Sequence, residues 1–281
     1  YPRAIKEANL AAHRAHPRFR FVEAALADAD LAALLDGVSH VFHLAAQAGV
    51  RKSWGRDFQT YTVNNIEASQ RLLEACVGRS IERLVYASSS SVYGDEVPIP
   101  MLEESVLKPV SPYGVSKLAA EQLCYLYFVN YGVPAVSLRY FTVYGPRQRP
   151  DMGFHRFLKA VLREQAITVY GDGEQTRDFT YIDDIVAATT AAADRGVAGR
   201  VYNIGGGARV SLNHVLDLLG AVTGRPIRTL REGAQKGDMR DTYADTMRAR
   251  TDLAFSPATT LADGLRAEYD WLRATPLVAS L

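Results

Sequence analysis

Short apolar runs rich in strand-forming residues alternate with helix-like stretches through the first 204 residues. Parallel strands need a crossover connection, so this rhythm predicts a doubly wound parallel (Rossmann-type) sheet, an α/β fold. The predicted strands are 19–22, 40–44, 83–88, 134–141 and 201–204. The predicted helices are 28–35, 57–77, 113–131, 154–164, 182–194 and a helix capped by Ser211 that runs to residue 222.

Four serines, Ser88 to Ser91, follow the predicted strand 83–88, at the edge of a parallel sheet where ligands bind. Ser111 then caps a helix that presents Tyr113 and Lys117 one turn apart on one face. An ammonium beside a phenol favours the phenolate, so we expect the pKa of Tyr113 to fall below its usual ~10. With a serine hydroxyl holding a substrate oxygen, the group suits proton removal from an alcohol whose carbon loses a hydride. A Tyr and a Lys four apart are by themselves more often an exposed helical pair, and the strand context favours catalysis.

Charge and composition restrict the partners. The formal net charge is +1 and no basic run stands out, so nucleic acid is not expected as a partner. No apolar run approaches the ~18 residues of a membrane span, and residues 1–6 lack a signal-peptide core. Cys76 and Cys124 lie in helical patterns, which is typical of small buried hydrophobes rather than a disulfide or metal pair. The histidines show no ligand spacing, so the composition predicts a soluble cytoplasmic enzyme without metal.

After residue 144 the residue composition changes. Gly, Pro, Arg and Asp concentrate in loops around 145–153, 171–178 and 205–209. A helix and a strand are nevertheless predicted at 182–194 and 201–204. The second half therefore predicts a smaller α/β lobe that is partly woven back into the sheet.

Several short motifs occur in a fixed order along nearly the whole chain. They are HLAA at 43–46, NNI at 64–66, SSSSVYG at 88–94, SPY at 111–113 with Lys117, RYFTVYGP at 139–146, GDG at 171–173 with RDF at 177–179, NIG at 203–205, and GD at 237–238 leading to AD at 244–245. In this order and spacing the chain resembles the extended short-chain dehydrogenase/reductase family, specifically its NAD-dependent nucleotide-sugar 4-epimerases. The resemblance implies an NAD-binding domain over 1–144 with 178–204 woven into it, and a substrate-binding lobe over 145–177 and 205–281.

The resemblance also implies where NAD lies, across the ends of the strands. Small residues after the strand 40–44 would give it close backbone approach, and Lys117 would hold the nicotinamide ribose. Asn65 would hydrogen-bond the cofactor, although a helix N-cap suits an Asn nearly as well. The implied cofactor-binding residues are Leu44, Ala45, Ala46, Asn65, Ser88, Tyr113, Lys117, Tyr140 and Val143.

Counting back from the motif VYG at 92–94 assigns the family's catalytic hydroxyl to Ser89, with Ser90 as the alternative. Related dehydratases carry Asp and Glu directly after that residue, as acid and base. Here the two positions are Ser90 and Ser91, so dehydration lacks its acid and base and epimerisation is favoured. Tyr113 would take the C4 hydroxyl proton while NAD takes the C4 hydride. The 4-keto sugar would rotate in the pocket, the hydride would return to the opposite face of C4, and Tyr113 would return the proton. The implied catalytic residues are Ser89, Tyr113 and Lys117.

The sugar implied is a uronic acid. Thr142 and the run 147–152 resemble UDP-glucuronate 4-epimerases, and Thr142 with Ser90 or Ser91 and Arg149 could hold a C6 carboxylate. Arg149 could equally close a loop or pair with Asp151. Arg177 would bind the substrate diphosphate, unless it forms an ion pair with Asp178 or Asp183. The implied substrate-binding residues are Ser90, Ser91, Thr142, Arg149, Arg177 and Asp238.

Other functions and an assembly remain open at this point. The alternatives to a UDP-glucuronate/UDP-galacturonate 4-epimerase are a UDP-glucose 4-epimerase, a UDP-uronate decarboxylase, and a non-catalytic sugar-nucleotide scaffold with impaired NAD binding. A homodimer is expected by likeness, with helices 57–77 and 113–131 forming a four-helix bundle. The apolar faces of these helices could equally belong to the core.

Two positions depart from the family pattern. The family begins with a strand, a glycine-rich turn and a helix that holds the pyrophosphate, but no GxxGxxG precedes His40 here. From the length of a βαβ unit, we expect about thirty residues of the family pattern to be absent. Ala25 stands where the family has an Asp that contacts adenine. Three explanations are open: the sequence is a fragment that begins late, the numbering omits a segment, or the protein is a natural variant that binds NAD poorly; the first two are favoured. Loss of the first strand would expose the flanking strands and their backbone groups.

Overall fold

The fold is given by a computed structural model that describes residues 1–233 and 235–275. Its strands are β1 (His40–His43), β2 (Arg83–Ser89), β3 (Ala135–Tyr140), β4 (Val143–Tyr144), β5 (Ile167–Tyr170), β6 (Thr176–Asp178), β7 (Thr180–Tyr181), β8 (Val201–Ile204), β9 (Arg209–Ser211) and β10 (Thr229–Glu232). Its helices are α1 (Arg3–Arg14), α2 (Leu31–Leu34), α3 (Phe58–Tyr61), α4 (Ala68–Cys76), α5 (Pro112–Tyr131), α6 (Gly153–Leu162), α7 (Ile182–Arg195), α8 (Leu212–Thr223), α9 (Met247–Leu253) and α10 (Leu261–Ala274).

The central sheet is parallel, with strand order β1-β2-β3-β8. Alternate residues of β2 enter different cores because side chains alternate along a strand. Leu84 and Tyr86 pack with residues of α2, α4 and α5, whereas Val85 packs with residues of α7 and α9. Helices therefore cover both faces of the sheet, and the prediction of a doubly wound parallel fold is confirmed.

Local signals set the ends of α5, the longest helix. The Ser111 side chain accepts a hydrogen bond from the Gly114 amide at 3.1 Å, and Pro112 occupies the first turn. Gly132 ends the helix in the left-handed conformation at φ 69°. The helix predicted at 113–131 is confirmed with these bounds, which place Tyr113 in the first turn.

The helix predicted at 57–77 is helical but irregular. A 3-10 turn at Gly55–Asp57 leads into α3, a π-helical segment at Thr62–Glu67 and then α4. The helix predicted at 28–35 shortens to α2, whose N-cap Asp30 accepts from the Ala33 amide at 3.1 Å. Cys76 and Cys124 are free and buried, as predicted.

The first two predicted strands need correction. Residues 19–22 are irregular, because no described strand lies beside them to accept their backbone hydrogen bonds. Phe19 and Phe21 are exposed as a result. The strand predicted as buried at 40–44 is the edge strand β1 among the described strands, and its Phe42 is 46% exposed.

A second core lies among α6, α8, α10 and β5, built around Leu158, Val169, Leu219 and Leu265. The pairs β5–β10, β4–β7 and β6–β9 connect the loops of this half of the chain. The boundaries predicted for a substrate-binding lobe stay a prediction, and its residues 234 and 276–281 lie outside the described residues. None of the helices within 1–233 and 235–275 combines the length and apolar character that a bilayer crossing requires.

Candidate active site

A cavity of about 540 Å³ opens at the carboxyl ends of β1, β2 and β3. The parallel strands bring together residues that are far apart in the chain. Of the predicted site residues, the cavity is lined by Leu44, Ala46, Ser88, Ser89, Ser90, Ser91, Tyr113, Lys117, Tyr140, Thr142, Val143, Arg149, Arg177 and Asp238. The predicted catalytic, cofactor and substrate residues thus meet at one site, with the exceptions of Ala45 and Asn65.

Gly114 allows α5 to lie close to residues 88–93, here called the serine segment. A Cβ at Gly114 would lie 2.3 Å from the Ser91 carbonyl oxygen, well inside van der Waals contact. The Ser89 hydroxyl oxygen accepts a hydrogen bond from the Ser91 amide at 3.1 Å, so Ser89 begins a 3-10 turn at Ser90–Val92. Because Gly114 has no side chain, the phenol of Tyr113 on α5 can lie beside the hydroxyl of Ser89 on β2.

Tyr113 is the candidate base. Burial raises the pKa of Tyr113 above its ordinary value, while the Ser89 hydroxyl and the charge of Arg149 act to lower it. The prediction that Lys117 would bring this pKa below its usual value is wrong for the chain without ligands, because burial dominates. The Tyr61 ring contacts Tyr113 edge to face, with centroids 6.2 Å apart.

Lys117 is only 3% exposed, and its Nζ lies 4.5 Å from the centre of the Tyr86 ring. Burial lowers the pKa of Lys117 to about 8, although Cys124 and Glu121 act to raise it. Within the described residues no acceptor lies at hydrogen-bond distance from this ammonium, which lines the cavity. A buried ammonium of this kind requires a partner, and a ribose or sugar hydroxyl entering the cavity would supply one.

Asn65 does not line the cavity, contrary to the implied contact with NAD. Its amide oxygen accepts from the Gln47 amide at 2.7 Å, and its nitrogen donates to the Gln47 carbonyl and the Ser116 hydroxyl. It is not a helix N-cap either, because it lies inside the π-helical segment. The side chain instead fixes the loop after β1 to α5, and the sequence does not reveal this because the partners are 18 and 51 residues away.

Arg149 lies in the cavity wall. It also forms an ion pair with Asp151, which is the expected alternative to binding a C6 carboxylate. Its Nε and Nη2 donate to the Asp151 carboxylate at 3.0 and 2.7 Å. The third nitrogen, Nη1, has no acceptor among the described residues. The guanidinium can therefore receive one further oxygen ligand without leaving Asp151.

Arg177 makes no ion pair with Asp178 or Asp183. Its Nη1 donates to the carbonyls of Thr176 and Arg240 at 2.8 and 3.1 Å, and its other nitrogens find no acceptor in the part of the chain that the structure describes. Burial lowers the pKa of Arg177 in spite of Asp238 nearby. A half-buried guanidinium at a cavity wall, with no carboxylate bound to it among the described residues, is an apt site for an anion.

Arg51 is a site residue that sequence reasoning missed. It donates to Asp238 at 2.6 Å, and its guanidinium lies 4.2 Å from the centre of the Tyr170 ring. Asp238 at the cavity wall is thus held by a residue 187 positions away. No local sequence signal marks a pair of such separation.

A parallel sheet with Ser, Tyr and Lys at its carboxyl edge defines an enzyme site of the short-chain dehydrogenase/reductase type. Residues 3–205 match the model of the NAD dependent epimerase/dehydratase family, and the chain belongs to this family. The predicted family, enzyme class and NAD dependence are thereby confirmed.

Three similar proteins are informative. The uncharacterized UDP-glucose epimerase YtcB of Bacillus subtilis (strain 168) is 46% identical over 96% of this chain and 86% of its own length. UDP-glucuronate 4-epimerase of Thermodesulfobacterium geofontis (strain OPF15) is 39% identical over 83% of this chain and 72% of its own. The crystal structure of UDP-glucuronic acid 4-epimerase from Bacillus cereus, in complex with UDP-glucuronic acid and NAD, superposes with a TM-score of 0.95 at 43% identity, covering 97% of this chain and 87% of that one.

Proposed function

We propose that this chain interconverts UDP-glucuronate and UDP-galacturonate by NAD-dependent epimerisation at C4. The observation that carries the proposal is that Arg149, with one guanidinium nitrogen still available, shares a cavity with Ser89 and Tyr113. A cation in the same cavity as the reacting groups suits a C6 carboxylate, whereas a neutral hexose offers no charge to the nitrogen that Asp151 leaves available. The similarity to UDP-glucuronate 4-epimerases supports the same substrate.

The nicotinamide end of NAD fits the residues present. The Lys117 ammonium faces the cavity without an acceptor among the described residues, and a ribose hydroxyl would accept from it. Leu44 and Ala46 just after β1, with Tyr140 at the end of β3 and Val143 at the start of β4, would form the walls around the cofactor. The bound cofactor supplies hydride acceptance from C4 and return of the hydride to C4.

The proton is handled by Ser89 and Tyr113. The Ser89 hydroxyl donates a hydrogen bond to O4 of the sugar, and the Tyr113 phenolate accepts the proton that leaves O4. Because burial raises the pKa of Tyr113, the phenolate needs positive charge in the assembled site. Arg149 acts in this direction, and so does the hydrogen bond with Ser89. Tyr113 then returns the proton to O4 after the 4-keto sugar has presented its other face.

The rest of the sugar nucleotide is held by polar groups of both halves of the chain. Arg177 binds the diphosphate, and Asp238 with Arg51 lies at the adjoining wall. The C6 carboxylate lies against the third nitrogen of Arg149. Hydroxyls from Ser90, Ser91 and Thr142 complete its surroundings. A carboxylate held in this way resists loss as CO₂ at the 4-keto stage, which separates epimerase from decarboxylase.

The proposal is tested by incubating the purified chain with NAD and UDP-glucuronate and following the sugar protons by NMR. We expect UDP-galacturonate to accumulate to equilibrium without net formation of NADH. Conversion of UDP-glucose with both uronates untouched would assign a UDP-glucose 4-epimerase, and CO₂ release would assign a decarboxylase. Failure of calorimetry to detect NAD on the protein with an intact N-terminus would favour a non-catalytic sugar-nucleotide scaffold.

A homodimer is proposed as the assembled form. An apolar stripe on the outer face of α5 remains exposed, and it consists of Val115, Tyr125, Leu126 and Val129. An exposed apolar stripe on a long helix is typical of an interface. Light scattering of the wild type against Val129→Glu tests it: a dimer that the substitution dissociates supports the assembly, and a wild-type monomer contradicts it. The cytoplasmic location stays a prediction.

A further inference from the structure

A buried ion pair joins the helix that carries Tyr113 to a strand of the sheet. Arg139 on β3 donates to Glu121 on α5 through Nη2 at 2.6 Å and through Nε at 3.1 Å. The two side chains are 3% and 1% exposed, and neither residue lines the cavity. Burying two charges is costly unless further hydrogen bonds satisfy them, so the surroundings of the pair matter.

Those further hydrogen bonds reach the residues on either side of Ser89. The Ser88 hydroxyl donates to Glu121 Oε2 at 2.6 Å. Arg139 Nη1 donates to the Tyr93 hydroxyl at 2.8 Å, just beyond the 3-10 turn that Ser89 begins. One ion pair therefore fixes both ends of the serine segment to the helix.

We propose that Glu121 and Arg139 are positioning residues that hold Ser89 in register with Tyr113 and Lys117. The assignment rests on the proposed function of that site. The catalytic hydroxyl belongs to β2 and the phenol and ammonium to α5, so their alignment depends on how the helix lies against the sheet. A displacement of about 1 Å at a reacting group lowers a rate by about 10²-fold. An apolar pair of similar size would fill the same space but would offer nothing to Ser88 or Tyr93.

The pair also carries charge next to Lys117, because Glu121 lies one turn further along α5. The titratable groups that face the ammonium are His43 of β1, Tyr86 of β2, and Tyr113, Cys124 and Glu121 of α5. Glu121 opposes the lowering of the Lys117 pKa by burial. Removing its carboxylate leaves the charge of Arg139 uncompensated by Glu121 and lowers the pKa of Lys117 further. Removing the guanidinium instead leaves an unpaired carboxylate and raises it.

The experiment compares Glu121→Gln, Arg139→Gln and the double variant Glu121→Met/Arg139→Met with wild type. The control Asp252→Asn breaks the pair of Arg200 Nη1 with Asp252, 2.7 Å apart and outside the cavity wall. Each protein is measured for kcat and KM on the UDP-sugar that wild type converts, for stability in urea, and for the pKa of Lys117 by ¹³C NMR. The Lys117 signal is identified by its loss in Lys117→Arg.

We expect both single variants to lose at least about tenfold in kcat with little change in KM. Their Lys117 pKa should move in opposite directions, downward in Glu121→Gln and upward in Arg139→Gln, because charges of opposite sign remain beside the ammonium. A loss in kcat without a change in KM that persists once stability has recovered is the result that a purely structural pair would not produce. The double variant should regain stability but not kcat, and the control should keep both kcat and the pKa of Lys117.

Recovery of wild-type kcat in the double variant, or equal pKa values in the two single variants, overturns the proposal. If wild type converts no UDP-sugar, the proposed function fails, but the NMR titration still decides whether the pair acts on the charge of Lys117. Opposite shifts would then support it, and an unchanged Lys117 pKa would overturn it.

Discussion

Replacing Gly114 by Ala tests how closely α5 must approach the serine segment. The added Cβ would lie 2.3 Å from the Ser91 carbonyl oxygen and 2.9 Å from Cβ of Pro109, so the helix and the segment must separate by about 1 Å. Overpacking of this kind costs about 1–3 kcal/mol of the free energy of unfolding. The Ser91 amide also binds the Ser89 hydroxyl, so the displacement reaches the catalytic group. We expect kcat to fall by about 10²-fold.

The assay measures initial rates of epimerisation alongside urea unfolding at one temperature. The matched control is Gly153→Ala in the first turn of α6, where the nearest atom to the added Cβ is a ring carbon of Phe157 at 4.0 Å. This control should keep kcat and stability within a few tenths of a kcal/mol, or gain slightly. A Gly114→Ala protein with wild-type kcat and wild-type stability would refute the account of the close approach.

Three further predictions concern single side chains. Burial lowers the pKa of His43 to about 4, so its folded form resists protonation. The contribution of His43 to the free energy of unfolding is complete above ~6.5, its pKa in the unfolded chain, and should fall by up to ~3 kcal/mol as the pH drops toward 4. The His43→Gln protein should lose less stability over the same range. Equal pH dependence of the two proteins in urea titrations would contradict this. Asp151→Asn should release Arg149 and lower KM for UDP-glucuronate but not for UDP-glucose. Equal changes in KM for the two sugars would show that Asp151 does not compete with a C6 carboxylate for Arg149. Tyr113→Phe should abolish turnover while calorimetry still detects the sugar nucleotide, and retained turnover would exclude Tyr113 as the base.

Local sequence signals were sufficient for the parts of the site that depend on one element. Ser111 and Gly132 mark the ends of α5, and the four-residue spacing places Tyr113 and Lys117 on one face of it. The serine run follows an apolar strand, and the topology of a parallel sheet carries Ser89 to the same edge. These predictions depend on contacts near in sequence or on a general rule of fold.

The parts that could not be predicted depend on contacts between distant residues. The pKa of Tyr113 depends on its burial among several elements, which the spacing of Tyr and Lys does not show. Asn65 suits a cap or a ligand contact equally well by sequence, and its partners come from a loop and a helix far along the chain. Residues 19–22 have the composition of a strand, but a strand also needs a neighbour with free backbone groups.

The central claim is that Ser89, Tyr113 and Lys117 form a C4 epimerase site for a UDP-uronate. It is tested most directly with UDP-glucuronate deuterated at C4, incubated with the chain and NAD and analysed by proton NMR. The account predicts UDP-galacturonate that retains the deuterium at C4, because the hydride removed from C4 returns to it. Loss of the deuterium to solvent, loss of C6 as CO₂, or unchanged substrate would contradict the account.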